Sequence, residues 1–160
     1  VAFCAGPDTV DCSKDQKHGI PPAAIRQNGD MGNLVADENC VINTTLVLGQ
    51  EKLSLAHRIK SVVGRSALIH LHKDNGDEDT FGDAGTFLAF GLIGIAESVN
   101  TTNVSVAASF PPPTKVHCMF QPEEGLGLTV TGQVLFESKV AGSSEVRLKL
   151  AGLSPGAHLL

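Results

Sequence analysis

A two-residue period of apolar side chains runs through most of the chain and limits its fold more than any other feature. In "EVRLKLAG" (145–152), Val146, Leu148 and Leu150 fall on one face and charged side chains on the other. "LTVTGQVLFES" (128–138) and "TKVHCMFQ" (114–121) read as strands, bounded by the turn segments "PEEGLG" and "KVAGSS". "NLVADENCVINTTLVL" (33–48) reads as a hairpin with Asp37–Cys40 at its tip. "KSVVGRSALIHLH" (60–72) and "TFLAFGLIGIAE" (86–97) are near-continuous β-rich runs of the kind a barrel interior needs. No segment carries the 3.6 spacing of an amphipathic helix. With seven Phe and neither Tyr nor Trp, the core must be built from Val, Leu, Ile and Ala. Short strands with turn signals between them predict an all-β sandwich or barrel.

Two segments break the pattern. Residues 5–32, rich in Asp, Gly, Pro and Lys, predict a long loop. Residues 97–113, "ESVNTTNVSVAASFPPP", predict a tail or linker outside the barrel.

The chain has 160 residues, enough for a single domain with one core. Its formal charge of -5, with no basic patch, argues against a nucleic-acid partner. No apolar run approaches the roughly 20 residues needed to cross a bilayer, so membrane insertion is not expected. Asn-x-Ser/Thr acceptors at Asn43, Asn100 and Asn103, together with an even number of cysteines at 4, 12, 40 and 118, predict a secreted glycoprotein. No cleavable signal peptide is visible.

The chemistry-bearing stretch is "SALIHLHKDNGDED" (66–79). It delivers His70 and His72 two apart on a strand and then Asp74, Asp77, Glu78 and Asp79. Imidazoles on one face beside carboxylates are the material of a metal site. The alternative is a strand end next to a solvated acidic turn. Asp74, Asp77 and Asp79, with Asn75 and Gly76 between them, would suit a loose hard-cation site, although the spacing is not that of an EF-hand.

Taken in order, "NGDMGNLVADENCV", "VVGRSALIH", "GDAGTFLAFGLIGIAE", "TKVHCMF", "VTGQVLFES" and "VRLKLAGLSPGAH" resemble the copper/zinc superoxide dismutase family along nearly the whole chain. The resemblance implies an eight-stranded Greek-key β-barrel with the chain order rotated. Residues 114–160 would form the first strands, 1–97 the remainder, and 98–113 a tail or linker, all in one domain spanning 1–160. Joined across Leu160 and Val1, "GLSPGAHLL" and "VAFCAGPD" make one family-like strand and loop, so "VAFCA" reads as barrel strand. Tandem repeats, an arbitrary starting point or a true permutation would each produce this order.

Such enzymes hold copper with four histidines and zinc with three histidines and an aspartate, one histidine being shared. The resemblance places His70 on a copper ligand, His18 on the bridging histidine and Asp30 on the zinc aspartate. It places Val1 and Phe3 where the family has His-x-His, Gln27 on a zinc histidine, and Phe87 on the arginine that draws in superoxide. Catalytic copper is therefore not expected, while weakly bound zinc or calcium is. Phe90 replaces the second cysteine of the family's internal disulfide, and a Cys4–Cys12 bridge would replace it. Cys118 is expected as a buried free thiol and Cys40 as an exposed one. The resemblance implies that in the family the Asp74 position ties the two metal sites together; without those metals Asp74, Asp77, Glu78, Asp79 and Asp83 are expected as a solvated loop or a loose hard-cation site, and His158 is expected to bond the barrel together.

Family members with decayed copper sites resemble a group of abundant bivalve haemolymph proteins that includes cavortin, dominin and pernin. This implies an extracellular plasma protein that self-associates and binds divalent cations. The rival reading is a residual extracellular dismutase using His18 and His70. A third is a protein recognising microbial surfaces or haemocytes, prompted by "NGD" at 28–30 and 75–77.

Overall fold

A computed structural model describes residues 19–23, 29–49, 53–55, 61–76, 81–96, 113–139 and 142–160. Its strands are β1 (Asn33–Ala36), β2 (Val41–Gly49), β3 (Ser66–His70), β4 (Phe87–Ile95), β5 (Lys115–Pro122), β6 (Thr131–Ser138), β7 (Ser143–Ala151) and β8 (Gly156–Leu159). The only helical element among the described residues is a 3-10 turn at Phe81–Asp83. Six strands form one antiparallel sheet in the order β2-β7-β6-β5-β4-β3, and β1 pairs with β8 in a second. The all-β class is thus observed, as a sheet curled into a half-barrel. Residues 98–112, part of the expected tail or linker, lie outside the described residues, as do most of residues 5–32.

The alternation read from sequence is what curls the large sheet around a core. Val116, Cys118 and Phe120 of β5, Val134 and Phe136 of β6, and Val146, Leu148 and Leu150 of β7 are all at most 3% exposed. Ile42 of β2, Ala67 and Ile69 of β3 and Ile93 of β4 join them. Leu34 and Ala36 of β1 and the terminal Leu160 close the core from the small sheet. Leu160 extends the β1–β8 ladder, its N–H donating to Gly32 and its carbonyl accepting from Met31. Each such buried aliphatic or aromatic side chain contributes about 1.5–3 kcal/mol relative to exposure.

The expected hairpin over 33–48 is corrected in its pairing. β1 and β2 do not pair with each other; β1 pairs β8 and β2 pairs β7. Residues 37–40 form a corner between sheets. The Asp37 carboxylate accepts from the N–H groups of Asn39 and Val41, both at 2.9 Å, and Cys40 takes φ 64°. Alternation gives a strand its two faces but does not name its neighbour.

On the outer face Glu137 stands directly opposite Glu145, a repulsive pairing in isolation. Lys139 lies 3.0 Å from Glu137 and 3.6 Å from Glu145, and Arg147 reaches both carboxylates. The Lys139 hydrogen bond, with the nearby charges of Lys115 and Arg147, holds the Glu137 carboxyl below the usual range.

Where β4 crosses β5 the backbones are so close that only glycine fits. A Cβ at Gly91 would collide with the Met119 carbonyl and with Cys118 Sγ, whereas one at Gly94 would meet nothing within 4 Å. Gly91→Ala is expected to cost about 3 kcal/mol and Gly94→Ala to stay within about 0.5 kcal/mol, as read by urea denaturation.

Cys118 is a buried free thiol, as expected, while Cys40 is only half-buried. Burial pushes the Cys118 thiol from an ordinary 9.0 up to about 11, against a smaller opposing effect of a backbone hydrogen bond with Ala67. The unfolded chain then loses this proton at lower pH than the folded one, so stability falls as pH rises from about 9 to about 11. Urea midpoints across that range are expected to drop more steeply for the native chain than for Cys118→Ala.

Candidate metal centre

β3 ends at His70 in a bulge. Ile69 pairs with Ala89 but His70 with Phe87, which leaves Leu88 between them without a partner position. The half-buried His70 ring points Nδ1 at the carbonyl oxygen of Gly85, 3.0 Å away. A neutral imidazole that donates from Nδ1 carries its lone pair on Nε2, the arrangement in which metal-ligating histidines are held. Gly85 has φ +71°, and a Cβ there would lie 2.8 Å from the His72 ring. The loop after β3 is laced to the loop before β4 by N–H donation from Leu71 to Thr86, His72 to Ala84 and Asn75 to Gly82, each at 2.9 Å.

Asp74 lies in that loop and is 1% exposed. Its Oδ1 accepts from the Gly76 N–H at 2.6 Å. Its own backbone is gripped at both polar groups by the Asn33 amide, with Asn33 Nδ2 donating to the Asp74 carbonyl at 2.8 Å and the Asp74 N–H donating to Asn33 Oδ1 at 2.7 Å. Asn33 begins β1 three residues after Asp30, so this grip brings the "NGDMGN" turn and the His70 loop together. Asp30 is 5% exposed, and its Oδ1 accepts from the Gly32 N–H at 2.8 Å. Buried carboxylates that accept from backbone N–H groups two residues on shape their own turns.

His158 of β8, 2% exposed, bridges the two sheets. Nδ1 lies 3.1 Å from the His70 carbonyl oxygen, and Nε2 lies 2.9 Å from the Ser154 carbonyl oxygen and 3.4 Å from Ser154 Oγ. Leu159 adds a parallel tie, its N–H donating to the His72 carbonyl at 3.1 Å. The expected role of His158 is therefore the observed one.

Of the expected metal residues, His70 ends β3 and Asp30 lies three residues before Asn33, while His18 lies outside the described residues. Asp74 is corrected from a solvated acid to a buried one turned toward Gly76. Asp77 and Asp79 of the expected cation loop, and Cys4 and Cys12 of the expected disulfide, lie outside the described residues. Among the glycan acceptors, Asn43 is exposed on β2, while Asn100 and Asn103 lie outside the described residues. His72 is exposed. In the "NGD" at 28–30 Asp30 is buried, and Asn28 lies outside the described residues. Among the described residues no three His, Cys, Asp or Glu side chains converge on one point. Sequence reasoning did not single out Asn33, Gly85 or Ser154. Each acts through a backbone carbonyl or a side-chain amide, and only the glycine and asparagine of "GDMGN" and "GDAG" hint at them.

A family model described as copper/zinc superoxide dismutase matches residues 5–93. The chain belongs to the copper/zinc superoxide dismutase family. It is 36% identical over 106 residues to the extracellular superoxide dismutase [Cu-Zn] of Caenorhabditis elegans, covering 61% of this chain and 45% of that protein. It is 43% identical over 86 residues to the superoxide dismutase [Cu-Zn] of Saccharomyces cerevisiae, covering 49% of this chain and 53% of that protein. The chain thus spans about half the length of the curated relatives it matches.

The donors fit the family's metals only in part. His70 Nδ1 is engaged by the Gly85 carbonyl oxygen, and Asp30 is buried in the turn before β1. By the resemblance, Val1 and Phe3 put hydrocarbon where two imidazoles are needed, and Gln27 offers a neutral amide. Hydrocarbon side chains cannot coordinate, and an amide is a poor ligand for copper or zinc.

His158→Ala should remove the ring that sits between the His70 and Ser154 carbonyl oxygens, leave one of them without its N–H donor, and lower stability by about 3 kcal/mol. Urea denaturation checks this; an unchanged midpoint would mean that the sheets are held together without the histidine.

Proposed function

We propose that this chain is an extracellular, non-catalytic member of the dismutase family that self-associates and binds divalent cations weakly. The observation that carries the reading is the state of the donor set. His70 keeps the geometry of a ligand, while the positions that should complete a copper centre hold Val1 and Phe3. Zinc or calcium would be held by the remainder, His18, Asp30 and His70, or by the acidic loop containing Asp77 and Asp79.

The extracellular assignment is supported by the relative whose name includes that location and by the three glycan acceptors. Self-association is supported by an uncharged strip on the outer face of β4 and β5. There Phe90, Leu92 and Met119 are 38%, 71% and 57% exposed, and the register sets Leu92 beside Met119. Contiguous exposed apolar side chains of this kind mark association surfaces. In this combination the chain resembles the bivalve haemolymph proteins with decayed metal sites.

The second reading, a residual dismutase, is favoured by one feature, the Nδ1 hydrogen bond that prepares His70 Nε2 for a metal. Metal analysis and a dismutase assay on chelator-free secreted protein separate the two. The proposal expects no stoichiometric copper, no activity, and weak zinc or calcium. Stoichiometric copper with activity that disappears in His70→Ala would establish the enzyme instead.

A further inference from the structure

The two edges of the six-stranded sheet are not alike. β3 is five residues long and bulged at Ile69/His70. At its end β8 reaches it, His158 meeting the His70 carbonyl and Leu159 the His72 carbonyl just beyond. A short, bulged edge tied at its end is a poor template for a foreign strand. β2 at the other edge runs nine residues, Val41–Gly49, in unbroken register with β7 from Val41↔Ala151 to Gly49↔Ser143. Among the described residues no strand pairs with its other side. Every second residue of an edge strand directs its N–H and C=O outward.

The sequence of that edge, "VINTTLVLG", has no charged residue and no proline, and consists mainly of β-branched and leucine side chains. These are the properties of a segment that pairs with copies of itself. Charges, bulges and prolines, the usual protections, are all missing from it. What it does contain is Asn43-Thr44-Thr45. Asn43 and Thr45 are both exposed on the outer face, next to the exposed Val47.

We infer that Asn43 is an N-glycosylation site whose sugar shields the open edge of β2 from strand addition by a second copy of the chain. An added strand would lie about 4.8 Å from β2. Its outward side chains opposite Asn43 would then meet the first sugars, which are bulky and hydrated. The glycan sits at one end of the sheet order, while the apolar strip of β4 and β5 lies toward the other. Association is thereby left to the strip and denied to the edge. This inference rests on the extracellular reading, since only a chain entering the secretory pathway acquires the sugar.

The test expresses the full chain through a eukaryotic secretory pathway, maps occupancy at Asn43 by mass spectrometry, and compares Asn43→Gln with Thr45→Ser, which keeps the acceptor. The expected result is an occupied Asn43, an Asn43→Gln protein that forms thioflavin-binding aggregates, and a Thr45→Ser protein that remains dispersed. Adding Val47→Lys to Asn43→Gln should restore dispersion, because a lysine on the edge replaces the sugar's protection opposite Glu145. Rescue of this kind is not expected of a variant that simply fails to fold. A secreted protein with bare Asn43 would overturn the inference and leave the extracellular reading standing, as would an Asn43→Gln protein that stays dispersed or that Val47→Lys fails to rescue. Failure of the chain to enter the secretory pathway would overturn both.

Discussion

Closure of the barrel depends on side chains that reach across where the strand ladders stop. β1 and β8 form a separate ladder, and the curled six-stranded sheet ends at β3. Among the described residues these are joined by His158 to the His70 carbonyl, Leu159 to the His72 carbonyl, and the Asn33 amide to both backbone groups of Asp74. Each lies at one corner of the molecule, around the end of β3. Within such a buried polar network a missing partner costs more than an average hydrogen bond contributes. The residues that close the fold are therefore the ones that position His70.

This coupling explains how a metal site can lose its ligands without losing its architecture. His158, Asn33 and Asp74 serve the backbone, and the barrel requires them whether or not a metal is bound. The ligands themselves serve only the metal. Under the proposed function, substitution at positions such as those of Val1 and Phe3 removes chemistry while the closure remains. Fold and activity are separable because they are carried by different atoms.

Much of this was legible in the residues. Alternation in β7 identified Val146, Leu148 and Leu150 as sharing one face, which is the buried one because one face of the strand must leave water. The pairing of β1 was not legible: its neighbour is set by long-range closure, and the Asp37–Cys40 corner looks like a hairpin turn from its composition. His158 and His70 were legible through family resemblance. Asn33 and Gly85 were not, since an amide that grips a backbone and a carbonyl that aims a ring leave little trace in side-chain type. The acidity of "DNGDED" suggested a solvated turn, but Asp74 is buried because its Oδ1 and its backbone both find partners inside.

The central claim is that the fold persists around a donor set too small for redox copper. The most direct test is titration of the secreted protein with copper(II), followed by electron paramagnetic resonance to count the coordinated imidazole nitrogens. Weak binding is expected, with imidazoles from no more than His18 and His70, lost on His70→Ala. A tight, stoichiometric signal with the full set of four imidazoles typical of the family would contradict it.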